Sequence, residues 1–486
     1  MNNERPTPSG PPAPGSGGSH HDDQAGLAHH ARGASDELWA QGPLWSASTR
    51  PVAVVLARPV REFLRISSAG SILLLIAAAA ALIWVNSPWG DSYHEFWSTP
   101  VTLGWGEHAL TASLHHWVND GLMVIFFFVV GLEIKYELVH GDLRDPRAAA
   151  LPMIAALGGM VVPAGIFFAL NLGGEGAHGW GIPMATDIAF AMGVLGLLGR
   201  RIPSPARLFL LTLAVVDDIG AILVIAVFYT ADLEISWLLL AILGLAVVLG
   251  MQRVRIWNRI PYVVVGVGIW FALLQSGVHA TLAGVALGLL TPATPLLNVD
   301  VARRYAGLAV RDNELDPDEV ARLRFLLEES VPPNELLQSR LNPFSSYVVL
   351  PLFALANAGV ALSAESIQAA VTSSVTLGIV LGLVVGKPLG IALFTWLAVR
   401  FGVGRLPGGT TWPMLVGLGG VGGIGFTVSL FISELSYPGF ADLTDAAKIG
   451  IIVGSMLAAA VGVVMLLLAT RKAPEVTEEL ETSTRH

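Results

Sequence analysis

LTLAVVDDIGAILVIAV, residues 211–227, decides the fold of this chain. It lies within a run dominated by apolar residues from Ala206 to Phe228. At about 1.5 Å of helix per residue, that run is long enough to cross a hydrocarbon layer of roughly 30 Å. Asp217 and Asp218 stand at its midpoint. Carboxylates at such depth cost a few kcal/mol each, so they face a water-filled cavity, pair with another group, or handle ions. Successive helical residues point about 100° apart, so the two acids present different faces and serve different purposes.

Composition agrees with a membrane setting. The 486 residues are 53% hydrophobic and 13% charged, with mean hydropathy +0.64, far more apolar than a soluble domain. The 53 glycines fit close helix packing in lipid. Because the sequence contains no cysteine, disulfides, thiol catalysis and thiolate metal sites are excluded.

Twelve apolar segments follow one another at about 67–86, 115–134, 148–170, 183–199, 206–228, 236–251, 260–275, 278–292, 344–360, 375–399, 412–433 and 448–469. Arg and Lys occur before the first and in every second connection thereafter: Lys135 to Arg147, Arg200 to Arg207, Arg253 to Arg259, Arg303 to Arg340, Arg400 with Arg405, and Arg471 onward. The alternate connections carry none apart from Lys448, at the border of the last segment. By the positive-inside rule, both termini are expected in the cytoplasm. The fold expected is therefore an all-α polytopic membrane protein of about twelve transmembrane helices.

Outside the apolar segments, residues 1–45 read as a disordered tail rich in Pro, Gly, Ser and His, without a secretory signal. Residues 46–66 read as a basic interfacial segment. The transmembrane domain is expected over 67–470, including a charged cytoplasmic insertion at 293–342. Within that insertion, ELDPDEVARLRFLLEESV (314–331) predicts an amphipathic helix with Asp316 near its start. Residues 471–486 read as an acidic, disordered tail. In the outer connection 91–112, the stretch TPVTLGWGEHALTAS (99–113) suits either a β-hairpin turning at Gly106-Glu107 or a plain loop.

Two more charges lie inside segments: Asp187 in PMATDIAFAMG (183–193), and Lys387, the midpoint of the tenth segment and followed by Pro388. Together with the aspartate pair they predict a compensated polar cluster in the bundle interior. The fourth segment carries Pro183 beside Thr186, and the eleventh, LVGLGGVGGIGFTVS (415–429), is crowded with glycine. Both suit discontinuous helices, whose exposed backbone is tolerated at membrane depth only where protein or a cavity covers it. They are the middle members of segments 3–5 and 10–12, the arrangement of inverted repeats with two broken helices crossing at the midplane. Asp217, Asp218 and Thr186 offer the oxygen ligands that Na⁺ or Li⁺ requires, and those oxygens also accept protons. Competition of cation and proton for one site, with alternating access, yields exchange.

Several motifs carry a family resemblance: FFFVVGLEIKYEL (126–138), ATDIAFAMGVLGLLG (185–199), LAVVDDIGAI (213–222), SGVHATLAGV (276–285), LPLFALANAGV (350–360), GKPLGI (386–391) and GIGFTVSLFI (423–432). In this order, over about residues 60–470, the chain resembles the NhaA-type sodium/proton antiporters. The resemblance implies an electrogenic exchanger of the bacterial inner membrane that expels Na⁺ or Li⁺ for a larger number of protons, falls silent at acidic pH, and serves sodium and pH homeostasis. It implies a cation and proton site at Asp217 and Asp218, with Asp218 the foremost ligand, and Lys387 paired with Asp217. Thr186 and Asp187 match the helix crossing, where Asp187 offsets positive helix ends and Lys387 negative ones. Glu133 and His279 match positions tied to pH response and the cytoplasmic approach. The outer hairpin matches a homodimer contact. No cofactor, nucleic acid or enzymatic reaction is expected.

One departure concerns LLQSRLNPF (336–344), where Gln338, Ser339 and Asn342 replace the family's Glu-His pair and second His, after a long insertion. The pH set point is therefore not transferable. The alternative of a cation-coupled solute symporter would require ligands for an organic substrate, whereas the residues around the expected crossing are small and apolar. An intramembrane aspartyl protease would require YD and GxGD motifs, absent here. A passive channel fits poorly with buried charges in the path.

Overall fold

The computed structural model describes residues 69–104, 110–230, 233–256, 258–309 and 316–471. The expected tails, the basic segment 46–66 and the Gly106-Glu107 turn lie outside them. Each of the twelve apolar segments carries helix, and the elements in chain order are as follows. Helix α1 (Ala69–Val85) meets α2 (Gly90–Ser98) at 114°. Strands β1 (Pro100–Leu103) and β2 (Leu110–Ser113) pair antiparallel with Pro100 opposite Ser113, which realises the hairpin rather than the plain loop. A π-helical stretch, Trp117–Leu122, leads into α3 (Met123–Val139). Then come α4 (Pro146–Leu170), a 3₁₀ stretch Glu175–Met184, α5 (Ile188–Leu198), α6 (Ser204–Phe228), α7 (Ile235–Arg253), α8 (Arg259–Gln275) and α9 (Leu282–Leu290).

The insertion holds three helices where one was expected: α10 (Val299–Ala309), α11 (Pro317–Glu329) and α12 (Pro333–Phe344). Asp316 does begin α11, closing a capping box with Glu319. Helix α12 runs through the π-helical stretch Ser345–Val349 into α13 (Leu350–Asn357), so the ninth segment starts well upstream of its apolar run. Helix α14 (Ala364–Thr372) precedes α15 (Ser374–Leu381), the π-helical stretch Gly382–Gly386, and α16 (Lys387–Arg400). The chain closes with α17 (Trp412–Gly422), α18 (Phe426–Ser436) and α19 (Ala441–Arg471). Two of the π-helical stretches stop one residue before an X-Pro position, Leu350-Pro351 and Lys387-Pro388. Proline has no N–H for the regular ladder, and a widened turn accommodates the lost bond.

Among the described residues, five helices are long and apolar enough to cross a membrane, or up to eight if each bent pair counts as one span. The apolar helices expose Ile83, Val227, Val264 and Leu239, the apolar belt of a multi-pass membrane protein. The expected breaks are present. The 3₁₀ stretch meets α5 at 42°, and α17 meets α18 at 49°. The first of these pairs starts at Glu175, eight residues before the apolar segment read from sequence.

Glycine sets the packing distances. A Cβ on Gly158 of α4 would stand 2.3 Å from the Gly390 carbonyl of α16, and one on Gly390 would stand 2.1 Å from the Gly158 carbonyl. In lipid such close approach supplies the dispersion contacts that the hydrophobic effect cannot. Gly390→Val is therefore expected to force α4 and α16 apart and to destabilise the protein by about 1–3 kcal/mol or more. Gly165→Ala, on the exposed side of α4 with nothing within 4 Å, is expected to leave the melting temperature of detergent-solubilised protein unchanged. Equal melting temperatures for both variants would refute this account of the packing.

Candidate functional site

The two breaks touch. The Asp187 N–H donates to the Ile424 carbonyl at 2.6 Å, and Ser429 Oγ of α18 donates to the Ile182 carbonyl of the 3₁₀ stretch at 2.7 Å. Asp187 is the N-cap of α5, where its Oδ1 accepts the Phe190 N–H at 3.1 Å. Its Oδ2 accepts the N–H and hydroxyl of Thr427, at 3.1 and 2.5 Å, in the first turn of α18. One carboxylate thus serves the unsatisfied N–H groups and positive ends of two helices at once. The sequence reading missed Thr427, although a polar residue just past a glycine run marked the position.

Lys387 meets the opposite need. Its side chain is wholly buried, and its ammonium donates to the Met184 carbonyl, at the C-terminal end of the 3₁₀ stretch, and to Asp217 Oδ2. The ammonium therefore compensates a helix end of negative polarity and a carboxylate together. Thr186 Oγ lies 2.6 Å from Asp217 Oδ2 and 2.8 Å from the Gly422 carbonyl at the end of α17. A hydroxyl has a single proton, so Thr186 donates to one of these acceptors at a time.

Asp218 differs from its neighbour. It is 7% exposed against 1% for Asp217; the Oδ1 of each is buried without a hydrogen-bond partner, but Asp217 Oδ2 is engaged by Lys387 and Thr186. It lines a cavity of about 420 Å³ together with Glu133, Thr186, Asp187, Thr427, Ser339 and Asn342, whereas Asp217 does not. The cavity extends from the middle of α6 to α12 and to Ser71 of α1. Its wall thus carries carboxylates, hydroxyls and amides, the oxygen donors a hard monovalent cation requires. The aspartates that helix geometry separates by angle are separated here by partner, with Lys387 on Asp217 as the resemblance implied: Asp217 is held by Lys387 and Thr186, and Asp218 lines the cavity.

Of the remaining expected residues, Glu133 lies on the cavity wall. His279 is not on that wall. Its Nε2 lies 2.6 Å from the Tyr229 carbonyl, just past the C-terminal end of α6. Breaking a buried ion pair from one side leaves an uncompensated charge. Lys387→Ala is expected to destabilise the protein by about 3–5 kcal/mol, with Asp217→Ala added in the double variant recovering part of the loss. Melting temperatures of the purified proteins test this. A double variant less stable than Lys387→Ala would contradict the pairing.

Comparison with known proteins agrees with this geometry. Residues 61–466 match the family model described as Na⁺/H⁺ antiporter 1. The Na⁺/H⁺ antiporter NhaA of Rhodopirellula baltica is 48% identical over 420 residues, covering 84% of this chain and 94% of that protein. The NhaA of a Janthinobacterium species is 47% identical over 445 residues, covering 88% and 98%. NhaA 3 of Frankia alni is 46% identical over 419 residues, covering 86% and 90%. With a carboxylate cavity behind two broken helices and a family match over most of its length, this chain belongs to the Na⁺/H⁺ antiporter 1 family, the NhaA antiporters.

Proposed function

We propose that this protein is a secondary Na⁺/H⁺ antiporter in which Asp218 is the first cation ligand and the Asp217–Lys387 pair is the second protonic group. The reading is carried by one observation: Asp218 lines the cavity, while Asp217 lies off it and is held by Lys387 and Thr186. Na⁺ or Li⁺ enters along Glu133, meets Asp218 and displaces its proton. Thr186 and Asp217 add oxygens as the cation settles. Drawing Asp217 toward the cation loosens its ion pair with Lys387, and the second proton leaves from this pair. Two protonic groups emptied for one monovalent cation make the exchange electrogenic. Protons reloading both groups from the other side complete an alternating-access cycle.

The remaining assignments follow the same reading. The molecule crosses the bacterial inner membrane about twelve times, with both termini cytoplasmic, as the alternation of Arg and Lys supports. Segments 3–5 and 10–12 are inverted repeats whose broken members cross at the midplane, and the contacts of Asp187 with Ile424 and Thr427 support that crossing. The cavity then faces the cytoplasm, because α12 belongs to the arginine-bearing insertion. Glu133, on its wall, and His279, near the Tyr229 end of α6, modulate the response to pH. The physiological role is sodium and pH homeostasis, without a cofactor. The β1–β2 hairpin, tied to the bundle where Trp117 Nε1 donates to the Val101 carbonyl at 3.1 Å, mediates a homodimer.

In everted vesicles, added Na⁺ or Li⁺ is expected to dissipate a preformed ΔpH, and Asp218→Asn to abolish the response. A variant that retains exchange would remove Asp218 from the site. Replacing the hairpin strands by a short flexible linker is expected to yield monomers in detergent while exchange persists. Dimers of unchanged stability, measured by light scattering, would place the interface elsewhere.

A further inference from the structure

We propose that Asn334 is a positioning residue that sets the aperture of the Asp218 cavity by fastening α12 to α3. Asn334, the second residue of α12, is wholly buried. Its Nδ2 donates to the Leu132 carbonyl of α3 at 2.8 Å, and its backbone N–H donates to the Pro292 carbonyl, just beyond α9, at 3.1 Å. Leu132 immediately precedes Glu133, which lies on one wall of the cavity. Ser339 and Asn342, which line the same cavity, follow Asn334 on the same helix. At about 1.5 Å per residue they stand roughly two turns from the bond or nearer. The Leu132–Asn334 bond therefore joins two elements that line the cavity, α3 and α12, close to their lining residues.

Packing stability does not explain the amide. Its Oδ1 is buried without a partner, and an unsatisfied buried acceptor costs stability that an apolar side chain of similar shape would not. What the amide adds is register, since one directed bond fixes α12 on α3 at a single height. The middle of α12 is tied separately, at Arg340 between the lining residues Ser339 and Asn342. Glu328 of α11 accepts from Arg340 of α12 at 3.0 Å and lies 3.7 Å from Arg259 of α8. Hydrogen bonds from Arg324 and then Arg340 hold the exposed Glu328 carboxyl below the usual range. With α11 so anchored, freeing Asn334 lets α12 pivot at the cavity mouth and leaves the insertion attached.

The absence of cysteine makes the aperture measurable. Ser345→Cys places a single thiol on the cavity wall at a buried position, and its reaction rate with a cationic methanethiosulfonate reports access. In that background, Asn334→Leu is expected to raise the labelling rate about threefold or more, the scale of one neutral hydrogen bond. It is also expected to raise the apparent KM for Na⁺ comparably, with the maximal exchange rate per folded molecule and the melting temperature unchanged or higher. Asn334→Ala serves if the leucine variant does not fold. A folded variant with unchanged labelling overturns the proposal, as does one with a lowered melting temperature and an unchanged KM. The kinetic arm rests on the antiport reading. If wild-type protein shows no Na⁺-driven exchange, that reading fails, while labelling still decides the aperture.

Discussion

The carboxylate of Asp187 holds together two pieces of backbone that would otherwise repel. Helices α5 and α18 both begin at the site, each with free N–H groups and a positive end. Asp187 accepts from Phe190 in one and from Thr427 in the other. Lys387 answers the reverse polarity at Met184. Without these two charges, the interrupted segments would leave unsatisfied backbone in a low-dielectric interior, at several kcal/mol per group. Small residues make the approach possible: a Cβ on Gly423 would stand 2.3 Å from the Leu383 carbonyl.

On that scaffold, two adjacent aspartates acquire different environments. Asp217 is committed through Oδ2 to Lys387 and Thr186, and Asp218 lines the cavity, each aspartate keeping one buried oxygen without a partner. An unpartnered buried oxygen costs stability. Such a cost is tolerated where a ligand relieves it, and in the antiport cycle proposed above a monovalent cation or a proton fills that role at Asp218. The pair therefore links local structure to function: neighbouring positions on one helix turn the second aspartate out of the first one's network.

The insertion shows how a connecting region joins the machinery it flanks. Helix α12 passes without interruption through a π-helical stretch into α13, so the charged connection and the ninth apolar segment are mechanically one element. The widened turns before Pro351 and Pro388 lie on two elements that flank the site, one reaching the cavity and the other carrying Lys387. In both, a missing N–H is absorbed by backbone geometry rather than by a break in the helix.

Much of this was legible in the sequence because membrane physics is severe. Long apolar runs, arginines in alternate connections and carboxylates at mid-helix each have few solutions in lipid, so helical class, buried cluster and broken segments followed from residue type and spacing. The capping of α11 at Asp316 was readable because it is local. The start of the 3₁₀ stretch at Glu175, the three helices of the insertion and the extension of segment nine were not, since polar sequence specifies helix weakly and tertiary contacts decided these ends. Residue type and spacing could not say which aspartate Lys387 takes, although the family resemblance pointed to Asp217, nor that Thr427 shares Asp187 or that Asn334 reaches Leu132. Each is a contact between residues far apart in the chain, set by how the helices pack. The sequence by itself determined which charges had to be buried together; only the tertiary structure decided which aspartate lines the cavity and which is held by Lys387 and Thr186, because that depends on the angle at which α6 presents neighbouring residues to different partners.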